Sequence, residues 1–126
     1  MYELHELCRK GDLESIKKYL LDINFNSNYL NEKDNNGITP FHFACVEGYT
    51  KIVKYLISVP GFNSLNMLTN HGYTPCNFTN IYCQIDVMKE LLKQTNIRVP
   101  QKIMEGYPIV IGTKENRKIM NELLLV

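Results

Sequence analysis

Apolar positions fall into short helical stripes separated by polar, turn-forming clusters. Ile52, Val53, Leu56 and Ile57 share one face of a helix, while Lys51 and Lys54 point elsewhere. The spacing returns at Val87, Met88, Leu91 and Leu92, then at Ile119, Met120, Leu123 and Leu124, and in thinner form at Ile16 and Leu20. A shorter stripe, Phe41 with Ala44 and Cys45, precedes the first of these runs at offsets of three and four. The pattern predicts pairs of short helices, each too small to bury its own apolar face.

Punctuation supports the pairing. Asp34-Asn35-Asn36-Gly37 is a turn, with glycine free to take positive φ and Asp/Asn able to bond their own backbone. Thr39-Pro40 then opens a helix: Thr is a good N-cap, and Pro at the first helical position forfeits no intrahelical bond. Gly48 ends that helix and Pro60-Gly61 ends the second. Asp12 is the expected N-cap for Leu13 to Leu21.

The unit recurs. Gly37-Ile38-Thr39-Pro40 returns 35 residues later as Gly72-Tyr73-Thr74-Pro75, and Leu56-Ile57 returns as Leu91-Leu92 at the same distance. Backwards, Leu4-His5 answers Phe41-His42 and Gly11 answers Gly48, both at 37. A fixed period in this range marks a stacked-repeat architecture. The third unit replaces the histidine by Asn77, the alanine by Thr79 and the inter-helix glycine by Cys83. The fourth keeps Gly106-Tyr107-Pro108, a turn without its threonine, and its second helix. The linkers at 22–30 and 59–65 are long and are expected to form extended arms, each burying one aromatic, Phe25 and Phe62.

The string Asp-x-x-Gly-x-Thr-Pro-Phe-His-x-Ala-x-x-x-Gly followed by Ile-Val-x-x-Leu-Ile, over 34–57, resembles the ankyrin repeat. The resemblance implies an all-α solenoid of about four stacked helix-turn-helix units with β-turn or hairpin loops between them. The expected layout is a single domain over 1–126, with units at 1–33 (an N-terminal cap), 34–68, 69–101 and 102–126. In the family, the repeat histidine bonds backbone near the neighbouring turn, so a structural role is implied for His5 and His42.

Composition narrows the function. Fourteen basic and thirteen acidic residues leave a net charge of +1, which argues against phosphate-driven nucleic-acid binding. No apolar run reaches a membrane span. Met1 to Glu6 lacks the basic and apolar regions of a secretory signal, and an intracellular, cytoplasmic setting is expected, with the nucleus left open. Cys8, Cys45, Cys76 and Cys83 have no metal-ligand spacing and read as reduced, small hydrophobes.

The chain offers no chemistry at catalytic spacing. Thr39 and His42 stand three apart at a helix start, a capping arrangement and not a nucleophile with its base. Asp12/Glu14 and Asp86/Glu90 lie on helix surfaces beside lysines. Gly112-Thr113-Lys114 is too sparse for a phosphate loop. Neither a catalytic residue, a cofactor nor a metal site is expected.

The resemblance implies a partner surface on the turn tips and the exposed side of the first helices, the concave side. By register the candidates are Ile38, Val46, Glu47, His71, Tyr73, Ile81, Tyr82 and Tyr107. Ile38, Tyr73 and Tyr107 form one row; Val46, Ile81 and Tyr82 form another. Exposed apolar and tyrosine side chains mark protein contact sites; the competing reading is that they pack on neighbouring turns. A non-catalytic adaptor for a protein partner follows. The alternatives are a small-molecule or nucleotide module, for which Lys33 beside Tyr73 is the only suggestion, and a regulatory piece of a larger signalling protein. The apolar ending Leu123-Leu124-Leu125-Val126 suggests self-association through the C-terminal helix.

Overall fold

The computed structural model describes residues 2–22, 27–99 and 112–124. These form eight helices and no strand: α1 (Glu3–Lys10), α2 (Leu13–Asp22), α3 (Ser27–Leu30), α4 (Pro40–Glu47), α5 (Thr50–Ser58), α6 (Pro75–Ile81), α7 (Ile85–Leu92) and α8 (Lys114–Leu124). The pairs α1/α2, α4/α5 and α6/α7 pack as helix hairpins. The first helices stack as α1 on α4 on α6, and the second helices continue as α5 on α7 on α8. The repeat period therefore becomes a one-dimensional stack in which each unit borrows its core from its neighbours.

The core is the apolar set of the stripes. Ile16, Phe41, Ala44, Cys45, Val53, Leu56, Val87, Met88 and Leu91 are sealed from solvent. Burial pushes the thiols of Cys8 and Cys76 up to about 12 and that of Cys45 up as well, so these cysteines are inert packing groups. Thr79 fills the place of Ala44 one unit on. Its hydroxyl donates to Pro75 O at 2.9 Å, so a buried polar group is satisfied within its own helix. α8 turns Met120 inward, and Leu123 and Leu124 also pack against the core. Ile119 stays exposed on its outer side, and Leu125 and Val126 lie outside the described residues.

Helix starts follow the punctuation. Thr39 Oγ1 accepts from His42 N–H at 3.2 Å, and the His42 ring accepts in return from Thr39 N–H at 3.1 Å. Thr74 and Asn77 repeat this capping box, with Asn77 Oδ1 accepting from Thr74 N–H at 2.9 Å. Asp12 caps α2 by accepting from Ser15 N–H at 3.1 Å. The long linkers differ from extended arms: residues 27–30 make a helical turn whose Leu30 is buried. Phe62 sits half-buried against Phe41, with ring centroids 4.8 Å apart. Phe25 lies outside the described residues.

Two ladders of side-chain hydrogen bonds tie unit to unit. The first uses the histidines. His5 Nε2–H donates to Ile38 O at 2.9 Å, and His42 Nε2–H is shared between Met67 O at 2.9 Å and Tyr73 O at 3.3 Å. The second uses asparagines that sequence periodicity hid among other asparagines. Asn31 donates to Gly61 O at 2.8 Å and accepts from Asn63 N–H at 2.9 Å. Asn66, 35 positions on, donates to Asn96 O at 2.6 Å and accepts from Arg98 N–H at 2.8 Å. Each carboxamide gives a partner to two backbone groups of the next loop that would otherwise be left to water.

The His42 ring is fully buried, and that burial lowers its pKa to about 4 from the ordinary 6.5. The unfolded chain therefore binds more protons than the folded one below about pH 6.5, and stability falls as pH drops through the window from 6.5 to 4. The full contribution is on the order of 3 kcal/mol. His42→Asn keeps the cap, as Asn77 does naturally, but loses the reach to Met67 and Tyr73. Urea unfolding at pH 7.5 and 4.5 should show the variant less stable at the upper pH, with most of the gap closed at the lower. A gap that is unchanged with pH would contradict the assignment.

Removing one asparagine clamp should be felt locally. Asn66→Ala is expected to cost about 1–2 kcal/mol and to speed hydrogen exchange at the Arg98 amide. The Asn63 amide, held by Asn31, should be unaffected.

Candidate partner-binding surface

The turn tips are rigid platforms. Asp34 accepts at its carboxylate from Asn36 N–H at 2.8 Å and Ile38 N–H at 3.0 Å, closing the tip on itself. Adjacent tips are bolted together: Asn70 N–H donates to Asn36 O at 3.0 Å, and Asn70 Nδ2 donates to Asn35 O at 2.9 Å. Lys33 Nζ donates to Leu68 O at 2.8 Å. The ammonium read as a possible ligand group beside Tyr73 thus gives one of its N–H groups to this bolt.

Of the eight candidates, Glu47, His71 and Tyr82 are exposed, while Ile38, Val46, Tyr73 and Ile81 are half-buried. Tyr107 lies outside the described residues. Tyr73 and Tyr82 are brought together by a residue not among the candidates, Phe78. Its ring lies 5.5 Å from Tyr73, 6.5 Å from Tyr82 and 5.7 Å from the His42 imidazole. The arrangement repeats one unit back, where Phe43 meets the His5 ring at 6.1 Å. Phe43 and Phe78 are 35 apart, each directly after the repeat-histidine position. That periodic aromatic was the signal available in the sequence.

Ile38 and Val46 have a second role through their backbones. Ile38 O receives His5, and Val46 O receives Gln84 Nε2 at 2.7 Å. Their side chains can vary because the contact that holds the stack uses only their carbonyls.

A steric exchange holds the third unit to the segment that follows. At Gly48, at φ 77, a Cβ would lie 2.4 Å from Gln84 Oε1, so a side chain there would displace the Gln84 carboxamide from Val46 O. In the same register Cys83 adopts φ 55, a left-handed conformation uncommon for a residue with a Cβ. Its Cβ is accommodated because Gly112 faces it, where an added Cβ would approach within 2.9 Å. The side chain has crossed the interface from one unit to the other. Gly112 is spent on this packing, and not on a phosphate. Next to it, Arg117 donates to Asn80 O at 2.6 Å and to Asn80 Oδ1 at 2.9 Å, seating α8.

The Thr39 hydroxyl lies 2.8 Å from His42 Nδ1, superficially a nucleophile with its base. Both groups are sealed from solvent, and the far ring nitrogen faces carbonyls rather than an orienting carboxylate. No cluster of metal-ligating side chains occurs among the described residues, and none of their helices is long and apolar enough to cross a membrane.

A family model described as ankyrin repeats, in three copies, matches residues 4–102. Protein phosphatase 1 regulatory subunit 27 of Mus musculus is 42% identical over 59 residues, covering 44% of this chain and 34% of that protein. The probable 26S proteasome regulatory subunit p28 of Saccharomyces cerevisiae is 41% identical over 59 residues, 47% of this chain and 26% of that one. The human transient receptor potential cation channel subfamily A member 1 is 28% identical over 102 residues, which is 81% of this chain but 9% of the channel. The matches span about a third or less of these relatives.

Proposed function

The chain belongs to the ankyrin-repeat family, and on that premise we propose a non-catalytic adaptor that binds a protein partner through its turn tips and first helices. The observation that carries the reading is the aromatic group Tyr73, Phe78 and Tyr82, half-buried to exposed, with Tyr73 beside the tips locked by Asn70 and Lys33 and the other two on α6 and its C-terminal end. Such side chains present large contact area with little entropy left to lose, which suits a binding anchor. Glu47 and His71 would form its polar rim, with Ile38, Val46, Ile81 and Tyr107 extending the rows. Two relatives are named as regulatory subunits, which supports the same class of role. We read the chain as one domain over 1–126, with units at 1–33, 34–68, 69–101 and 102–126, acting in the cytoplasm without nucleic acid. Among the described residues, self-association through α8 would use Ile119 on its outer side, since Met120 is buried and Leu123 and Leu124 pack in part against the core.

Tyr82→Ala should leave the melting temperature unchanged. Tyr73→Ala should cost about 1 kcal/mol through its contact with Phe78. Together they should weaken capture of the native partner, measured by pull-down and mass spectrometry, by about tenfold or more. Capture that survives the double substitution, in protein that still unfolds cooperatively, would move the contact surface elsewhere.

A further inference from the structure

α8 is held to the stack differently from the helices before it. α5 and α7 each sink three side chains out of solvent, whereas the eleven residues of α8 sink only Met120. Arg117, Leu123 and Leu124 are half-buried and the rest of the helix is exposed. Among the described residues no ion pair joins α8 to another element. A helix of this length is marginal alone in water, so α8 depends on its seat against α7.

The seat is built around a polar group in an apolar register. Asn80 stands 35 positions after Cys45, which itself answers Cys8 at 37. Both cysteines are fully sealed, and Asn80 is 5% exposed. A carboxamide oxygen in such a place needs a donor. Arg117 supplies it from α8, giving Nη2–H to Asn80 Oδ1 at 2.9 Å and Nη1–H to Asn80 O at 2.6 Å. The same carbonyl accepts Cys83 N–H at 3.1 Å, at the left-handed turn against which Gly112 packs. Both attachments of the last segment, the guanidinium and Gly112, therefore meet on one turn of the third unit.

Such a pin sets where the helix lands more than how firmly it stays. When α8 lifts, the guanidinium and both oxygens of Asn80 regain water, so the net gain from their bonds is modest. An apolar plug would cost its whole buried area on opening. Segments with few apolar contacts open below the cost of global unfolding. We propose that α8 is a latch: it lifts off the third unit as one piece while α1 to α7 stay stacked, and Arg117 returns it to register. Lifted, it leaves α7 and the Asn80 acceptors uncovered at that end of the stack.

The test is amide hydrogen exchange on the full chain, followed by NMR at neutral pH. Amides of residues 118–124 should share one protection factor, at least about tenfold below that of the α5 amides. Arg117→Gln should lower α8 protection about tenfold further and leave α5 unchanged. Arg117→Lys keeps the charge without the two-pronged fork, and should lower it about threefold. Glu115→Gln, on the exposed side of α8, should change nothing. The proposal is overturned by α8 amides as protected as those of α5, by protection that declines residue by residue toward 124, or by equal loss in α5 and α8 in Arg117→Gln.

Discussion

Backbone carbonyls in one turn are satisfied by an imidazole that belongs to the unit before it. His42 reaches Met67 O and Tyr73 O from a helix start where its other nitrogen is already filled by Thr39. The ring and Thr39 are sealed from solvent and the two carbonyls are part-buried, so giving up the bond leaves the imidazole N–H without a partner unless the stack opens. The imidazole must also stay neutral, because a proton on Nδ1 would abolish an acceptor and bury a charge. Much else follows from this one constraint. It fixes the distance between tips, places Tyr73 beside Phe78, and lets Asn70 and Lys33 bolt the tips together.

The units differ in how fully they meet that constraint. The second unit has threonine, proline and histidine in place. The third has Asn77, which reproduces the cap with a shorter side chain. The first has histidine without the threonine, and there the orphaned Nδ1 remains. A worn repeat is therefore more than a weaker repeat. Each changed residue leaves a specific polar group to account for, and it is either satisfied locally, as the Thr79 hydroxyl is by Pro75 O, or buried unpaired among the described residues, as His5 Nδ1 is.

Much of the fold was legible because it is periodic. Thr39, Pro40 and Gly48 signal helix ends through their own backbone preferences, and the apolar stripes at 52–57 and 87–92 need no partner to be recognised. The asparagine clamps were not legible in the same way. Asn31 and Asn66 are periodic too, but asparagines crowd both linkers, and only the fold shows which carboxamide faces the next loop. Phe43 and Phe78 were missed for the opposite reason. A phenylalanine one place after the repeat histidine reads as core, yet it is the half-buried floor on which the tyrosines stand.

The exchange at Cys83 and Gly112 shows why residues at such interfaces cannot be judged one at a time. A glycine in the Gly48 register serves two needs: it permits positive φ, and it leaves room for the next unit's side chain. Only the second need can be handed to a neighbour. With Gly112 opposite, Cys83 satisfies the steric requirement while keeping the left-handed backbone at φ 55, a conformation a Cβ makes less favourable. Reading Cys83 alone suggests an eroded repeat, and reading Gly112 alone suggests a loop. Read together they are one interface with its Cβ on the other side, and the stack continues through Arg117 and Asn80 into α8.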